Sequence, residues 1–252
     1  MMHYKLLAAA LAGAIYLPAA QADMFGGGEV GYARDTNFNG APSGAARLEE
    51  NITSYAAYLG HYSPLDSGRS AFIVKGDVQV NQLEKTPTLD NNIYGVSVGT
   101  LHTFSQHNSM TSNLGIRAKR FDDSRRDGEV YALQFGFKQK MNDRFWFREG
   151  LVGESGTAEV KSGEYTGYGV SGSLNWKPGA STLLNLGLAW NQRVYDVLAA
   201  DERTGEQLTL GLVQEFGKHV YVRASATRLN NSTNDGSEYD SNVYSVGLGY
   251  SL

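Results

Sequence analysis

The side chains best suited to chemistry in this 252-residue chain are four histidines, His61, His102, His107 and His219, set among Ser, Asp and Glu. A hydrolytic site needs such a base within hydrogen-bond reach of a nucleophile. All four fall at the ends or turns of the alternating segments described below, on the side away from the long loops. That placement argues against a hydrolase or protease at an outer rim, and no catalytic residue is assigned. His61, His102 and His107 could meet over a metal, but solvated turn histidines are the plainer reading; neither a metal site nor a cofactor is expected. Gly26-Gly27-Gly28 opens no helix, so it is no phosphate cradle; it eases strand curvature or backbone crowding.

The elements that must position these residues are strands. Residues 1–22 carry Lys5, an apolar run from Leu6 to Leu17, and Ala20-Gln21-Ala22 before Asp23, the order of a cleaved secretory signal. The mature chain is expected to begin at Asp23. Beyond it no run of about 20 apolar residues could cross a bilayer as a helix. A membrane position therefore requires a closed barrel, which satisfies every backbone N–H and C=O in lipid. The composition agrees, with 30 Gly and 15 Tyr against 5 Pro and no Cys, so no disulfides. A net charge of −4 and a pI near 5.7 argue against a nucleic-acid partner, which requires a basic surface.

Period-two alternation, which sends successive side chains to opposite faces of a sheet, is the main signal. Tyr244, Val246, Leu248, Tyr250 and Leu252 alternate with Ser245, Gly247, Gly249 and Ser251. Leu184, Leu186, Leu188 and Trp190 alternate with Asn185, Gly187, Ala189 and Asn191. The same polarity recurs around Val74, Val96, Leu133 and Val170, and more weakly at 28–34, 52–62, 114–118, 208–216 and 220–226. In 145–153 the phase changes, and a bulge is expected at Glu149-Gly150.

Connections alternate long and short. The long ones are 37–47, 84–91, 122–128, 154–164, 196–206 and 230–241; the short ones are 63–69, 106–109, 141–143, 177–179 and 217–218. This rhythm separates an outer set of loops from periplasmic turns. It predicts an all-β fold: a transmembrane antiparallel up-and-down β-barrel of twelve strands, formed by residues 23–252 in the cell outer membrane. A soluble sandwich would turn its apolar face inward. Here the non-greasy face carries Lys75, Asp77, Arg117, Lys119, Lys138 and Arg223, which could not form a dry core. These six are the expected lumen-lining residues.

Aromatic residues near strand ends suggest girdles at the two headgroup levels: Tyr62, Phe104, Phe145, Phe147, Trp176, Phe216 and Tyr250 below, with Tyr32, Tyr94, Tyr131 and Tyr244 above. Outer-membrane lipid and lipopolysaccharide are the expected surroundings. Asp122, Asp123, Asp201, Glu202, Asp235, Glu238 and Asp240 would sit outside, where divalent ions can bridge carboxylate to lipid phosphate, although simple solvated loops are the stronger reading.

Two stretches carry a resemblance. Gly31-Tyr32-Ala33-Arg34-Asp35-Thr36-Asn37-Phe38-Asn39 at the start resembles the opening of outer-membrane export barrels, in particular the barrel domains of surface lipoprotein assembly modifiers and exopolysaccharide-secretion porins. So does the end, with Arg228, Asn230, Tyr239-Asp240-Ser241-Asn242 and Gly247-Leu248-Gly249-Tyr250-Ser251. The resemblance implies that Tyr244, Val246, Leu248, Tyr250 and Leu252 form the signal read by the barrel-assembly machinery, and that export-system components are partners. The leading expectation is a narrow passive channel or export conduit with a somewhat basic lumen, favouring small anions. A structural or surface-interaction barrel with a plugged interior stays open beside it, as does a lipid-modifying enzyme.

Overall fold

A computed structural model describes residues 24–42, 45–65, 68–196 and 201–252; the signal segment 1–22 lies outside them. The chain forms β1 (Met24–Asp35), β2 (Glu50–Pro64), β3 (Ser70–Leu83), β4 (Asn91–Thr103), β5 (Asn108–Phe121) and β6 (Gly128–Lys140). It continues with β7 (Phe145–Ala158), β8 (Tyr165–Trp176), β9 (Thr182–Tyr195), β10 (Glu202–Phe216), β11 (Val220–Thr233) and β12 (Glu238–Ser251). Each strand pairs with its sequence neighbours, and β12 closes on β1, giving the expected twelve-stranded antiparallel barrel. Among the described residues no helix is long and apolar enough to cross a membrane.

The registers set the barrel's width. A path along the hydrogen bonds from Met24 runs through His61, Val74, Val98, Leu114, Leu133, Gly153, Tyr168, Gln192, Thr204, Ser232 and Glu238. It returns to the first strand about 16 residues further along, which for this strand number and spacing means a tilt of about 40° and a backbone radius of about 12 Å.

Tilt and register together assign a depth to every residue, and the outward face then resolves into layers. Tyr32, Tyr55, Tyr94, Tyr131, Tyr168, Trp190 and Tyr244 fall at one level, within about 5 Å of one another along the axis. Phe72, Phe137, Phe147, Trp176, Phe216 and Tyr250 form a second level about 18 Å lower. Between them the wall is aliphatic and open: Leu114 is 56% exposed, Leu151 57%, Leu188 62%, Leu210 57% and Leu248 58%. In water so large an apolar belt would drive aggregation; in acyl chains it is the required surface, with tyrosine hydroxyls at the headgroups.

The structure corrects several expectations. There is no bulge at Glu149-Gly150: the pairing runs without interruption from Gly128↔Ala158 to Lys140↔Trp146 on one side and from Phe145↔Trp176 to Gly156↔Tyr165 on the other. The strand keeps its phase, and the apparent change arises because a carboxylate, Glu149, occupies a lipid-facing position. Tyr62 belongs to the inward face of β2, with Tyr58, and so leaves the lower girdle; the upper girdle gains Tyr55, Tyr168 and Trp190. Three outer loops are shorter than expected, because 154–158, 202–206, 230–233 and 238–241 are strand. The long-short contrast survives chiefly in 36–49.

Candidate functional site

The site is the inner wall. Lys75, Asp77, Arg117, Lys119, Lys138 and Arg223 all fall on the register positions opposite the apolar belt. Asp77 brings two of the cations together, with Lys75 Nζ at 3.6 Å and Arg117 Nη2 at 3.8 Å. Lys75 Nζ also stands 5.3 Å from the centre of the Tyr58 ring, a cation–π contact. Arg223 Nη2 donates to Glu29 Oε1 at 2.5 Å, and Tyr221 Oη donates to the other oxygen at 3.1 Å. Lys138 Nζ lies 5.3 Å over Trp146, apart from these groups and nearer the periplasmic mouth. Lys119 sits above Arg117 on β5, within the electrostatic reach of Glu154 and Arg193.

A third ion pair joins these two. Arg193 Nε donates to Glu154 Oε1 at 2.6 Å, with both side chains largely buried, and the Arg193 guanidinium lies 4.9 Å over Tyr165. The sequence rhythm places Glu154 at the start of the 154–164 connection, whereas in the structure it is within β7.

The three pairs share one design. Asp77 on β3 reaches Arg117 on β5 across β4; Glu154 on β7 reaches Arg193 on β9 across β8; Glu29 on β1 reaches Arg223 on β11 across β12. Every fourth strand is thus straddled, and at each crossing the straddled strand presents glycine. A Cβ on Gly95 would stand 2.6 Å from Asp77 Oδ2; one on Gly167, 3.0 Å from Arg193 Cγ and 3.3 Å from Glu154 Cγ; one on Gly247, 2.7 Å from Glu29 Oε1. The absent side chains let the charged ones lie flat against the wall. Their neighbours on β4, β8 and β12, Ser97, Gly99, Gly169, Ser171, Ser173, Ser245 and Gly249, are equally small. Bulk that would fill the axis is folded sideways over the glycines.

The outer mouth is narrowed on one side. Phe38 and Leu48 of the 36–49 loop and Leu89 of the 84–90 loop pack with Ile52, Leu83 and Ala33 from the inner ends of β1 to β3. Buried polar groups hold the cap. Asn37 accepts from Ala41 N and donates to Ala41 O and to Asp240 O. Glu50 accepts from the backbone of Asn51 and Lys85 and from Thr86 Oγ1. Ser241 Oγ donates to Asp35. On the facing side Arg203 is held by Asp201 at 2.6 Å and stacks 4.5 Å over Tyr195.

Four of the outer acids, Asp123, Asp201, Asp235 and Asp240, are engaged by the chain's own groups. Asp123 receives Arg125 at 2.9 Å and lies 3.6 Å from Arg126; the Arg125 hydrogen bonds hold its carboxyl below the usual aspartate range. Asp240 receives Arg47, and Asp235 receives Thr233 and Ser237 N. Of the histidines, His61 and His102 face outward at the lower ends of β2 and β4, with His102 Nδ1 2.7 Å from Ser70 Oγ, and His107 and His219 occupy turns. Among the described residues no three His, Asp or Glu side chains converge in a geometry that could hold a metal ion.

No protein-family model matches the chain, and neither does any curated protein. Solved structures match its fold. The COG4313 outer membrane channel from Pseudomonas putida F1 superposes with a TM-score of 0.72 at 10% identity, over 94% of this chain and 97% of that one. The beta domain of the Bordetella autotransporter BrkA gives 0.54 at 11% identity, over 92% and 100%. The KdgM porin in complex with disordered oligogalacturonate gives 0.53 at 9% identity, over 89% and 99%. At these identities the likeness is one of fold. Closed topology, lipid-ready belt and these neighbours agree that the chain is a twelve-stranded outer-membrane β-barrel.

Proposed function

We propose that the barrel is a narrow passive channel for small hydrophilic solutes, with a preference for anions. The observation that carries this reading is the set of three ion pairs laid flat over glycines, in a barrel whose backbone radius of about 12 Å exceeds the reach of the remaining inward side chains. The basic residues Lys75, Arg117, Lys119, Lys138, Arg148, Arg193, Arg203 and Arg223 outnumber the inward acids, among them Glu29, Asp77, Glu154 and Glu215, and a net positive lumen attracts anions. That two of the structural neighbours are named as a channel and a porin supports the same reading. The resemblance of both chain ends to export barrels extends it to an export conduit, which would share this lumen.

The test is conductance after refolding into planar bilayers. Stepwise single-channel currents with a chloride-to-potassium permeability ratio above one are expected; silence at every voltage removes the proposal. The apolar cap at the outer mouth favours a second reading, a plugged barrel whose loops do the work. Recording before and after shortening 36–49 separates the two: a channel already conducts in the intact protein, whereas a barrel plugged by this cap is silent until the cap is shortened.

A further inference from the structure

The lipid-facing belt is interrupted by polar side chains at two places, and from their positions we infer that the barrel assembles into a closed ring of three copies. One place is Glu149 on β7. It stands between Phe147 and Leu151 along the strand and beside Phe137 and Gly172 across it. A Cβ on Gly172 would meet nothing within 4 Å, so the carboxylate borders an open notch. The other is Ser112 on β5, hydrogen-bonded to Thr100 on β4 at 2.9 Å. Gln214, at the belt's lower edge, is already held by Thr182 and Ser181.

The two places are complementary. Between the paired hydroxyls of Thr100 and Ser112 one proton is used and one remains to donate; Glu149 is an acceptor whose cross-strand neighbours, Phe137 and Gly172, carry no side-chain donor. Among the described residues no Lys or Arg faces outward within the belt: Arg34 and Arg120 lie above the tyrosine ring and Arg228 is level with it, while the outward His61 lies at the belt's lower edge, on the far side of β3 and β4 from this contact.

Their depths agree. Ser112 pairs with Phe135, and Phe135 with Leu151. Two strands along the hydrogen-bond direction climb about 6 Å, so the residue level with Ser112 on β7 is Glu149, within about 2 Å.

Their angle selects the ring. In a twelve-stranded barrel β5 and β7 are about 60° apart, the angle between the two neighbours of each member of a three-membered ring; four members would need about 90°. The Glu149 face of one copy then meets the Ser112 face of the next at the same depth. β6, between them, would turn Leu133, Phe135 and Phe137 toward the threefold axis, an apolar and aromatic centre of the kind stable interfaces use.

The chain has no cysteine, so the contact can be trapped. The mature protein, extracted in mild detergent or placed in nanodiscs, is expected at three times the chain mass by native mass spectrometry. A single copy at all concentrations overturns the inference. With copper-phenanthroline and oxygen, the Glu149→Cys, Ser112→Cys double variant should yield a covalent trimer, while Glu149→Cys alone stays uncoupled. A disulfide dimer from Glu149→Cys alone would mean a twofold contact and refute the ring. Heat-dependent mobility on a denaturing gel shows that each variant is folded. Glu149→Leu should weaken assembly about tenfold, the loss of one charged hydrogen bond per contact, and Glu149→Gln should retain it; unchanged assembly in Glu149→Leu would refute the role of that residue.

Discussion

Asp77 offers a test in which opposite outcomes follow from neighbouring substitutions. It is the acid between Lys75 and Arg117, so the three side chains together carry one net positive charge. Asp77→Asn raises that to two with almost no change of shape, and Arg117→Gln lowers it to zero. A side chain reaching inward from a backbone radius of about 12 Å ends about 6 Å from the axis. At that distance a unit charge in water acts on a permeating ion with about 0.7 kcal/mol. Screening at 0.1 M salt leaves about 0.4 kcal/mol, a factor of about 2 in anion occupancy. Reversal potentials across a tenfold salt gradient should therefore move toward chloride in Asp77→Asn and away from it in Arg117→Gln, by similar amounts, and both shifts should shrink at 1 M salt. Shifts of the same sign, or none in a conducting barrel, would refute the reasoning, because they would put the cluster away from the ion path.

Other outcomes follow from the same geometry. Gly247→Val places a side chain where Glu29 now lies, so the Glu29–Arg223 pair must swing toward the axis and single-channel conductance should fall, while Gly153→Val, which has open space, should leave it unchanged. Leu210→Arg, at the middle of the belt, should cost about 2–4 kcal/mol in urea unfolding from vesicles, against little for the inward Thr209→Arg. Glu50→Ala leaves buried donors of Lys85 and Thr86 without their acceptor, a cost of about 1–3 kcal/mol, and should expose 36–49 to protease and increase current noise. Acidification should release the Arg125–Asp123 contact only below the ordinary aspartate range, because the pair stabilises the ionised carboxyl and is lost as pH falls through its lowered value; loop fluorescence that changes near neutral pH would contradict this.

The fold was legible wherever one face is uniformly greasy and the other small. In β12 and β9 each side chain declares its side, so strand, face and neighbour follow together. Errors arose where a polar residue stands in a strand. Glu154, Arg203 and Asn231 read as loop because periodicity cannot tell a charge pointing into a lumen from one in solvent. Glu149 read as a phase change because lipid-facing carboxylates are rare, and only continuous pairing on both sides shows that the strand is regular. The six lumen residues could be placed by face, but their grouping could not. Asp77 and Arg117 are 40 positions apart in sequence and meet only through the registers of β3, β4 and β5, while Glu29 and Arg223 are almost the whole barrel apart and only its closure brings them across one strand. The cap at the mouth was hidden for the same reason, since Phe38, Leu48 and Leu89 are unremarkable loop residues until Ile52 and Leu83 lie beneath them.

A spin-label accessibility scan of residues 206–214 in lipid vesicles bears most directly on the orientation of the wall. Labels at Leu208, Leu210 and Leu212 should collide with dissolved oxygen and be shielded from a water-soluble nickel complex, while those at Gln207, Thr209 and Gly211 should show the reverse. Alternation of the opposite phase, or none, would contradict an apolar exterior around a hydrated passage.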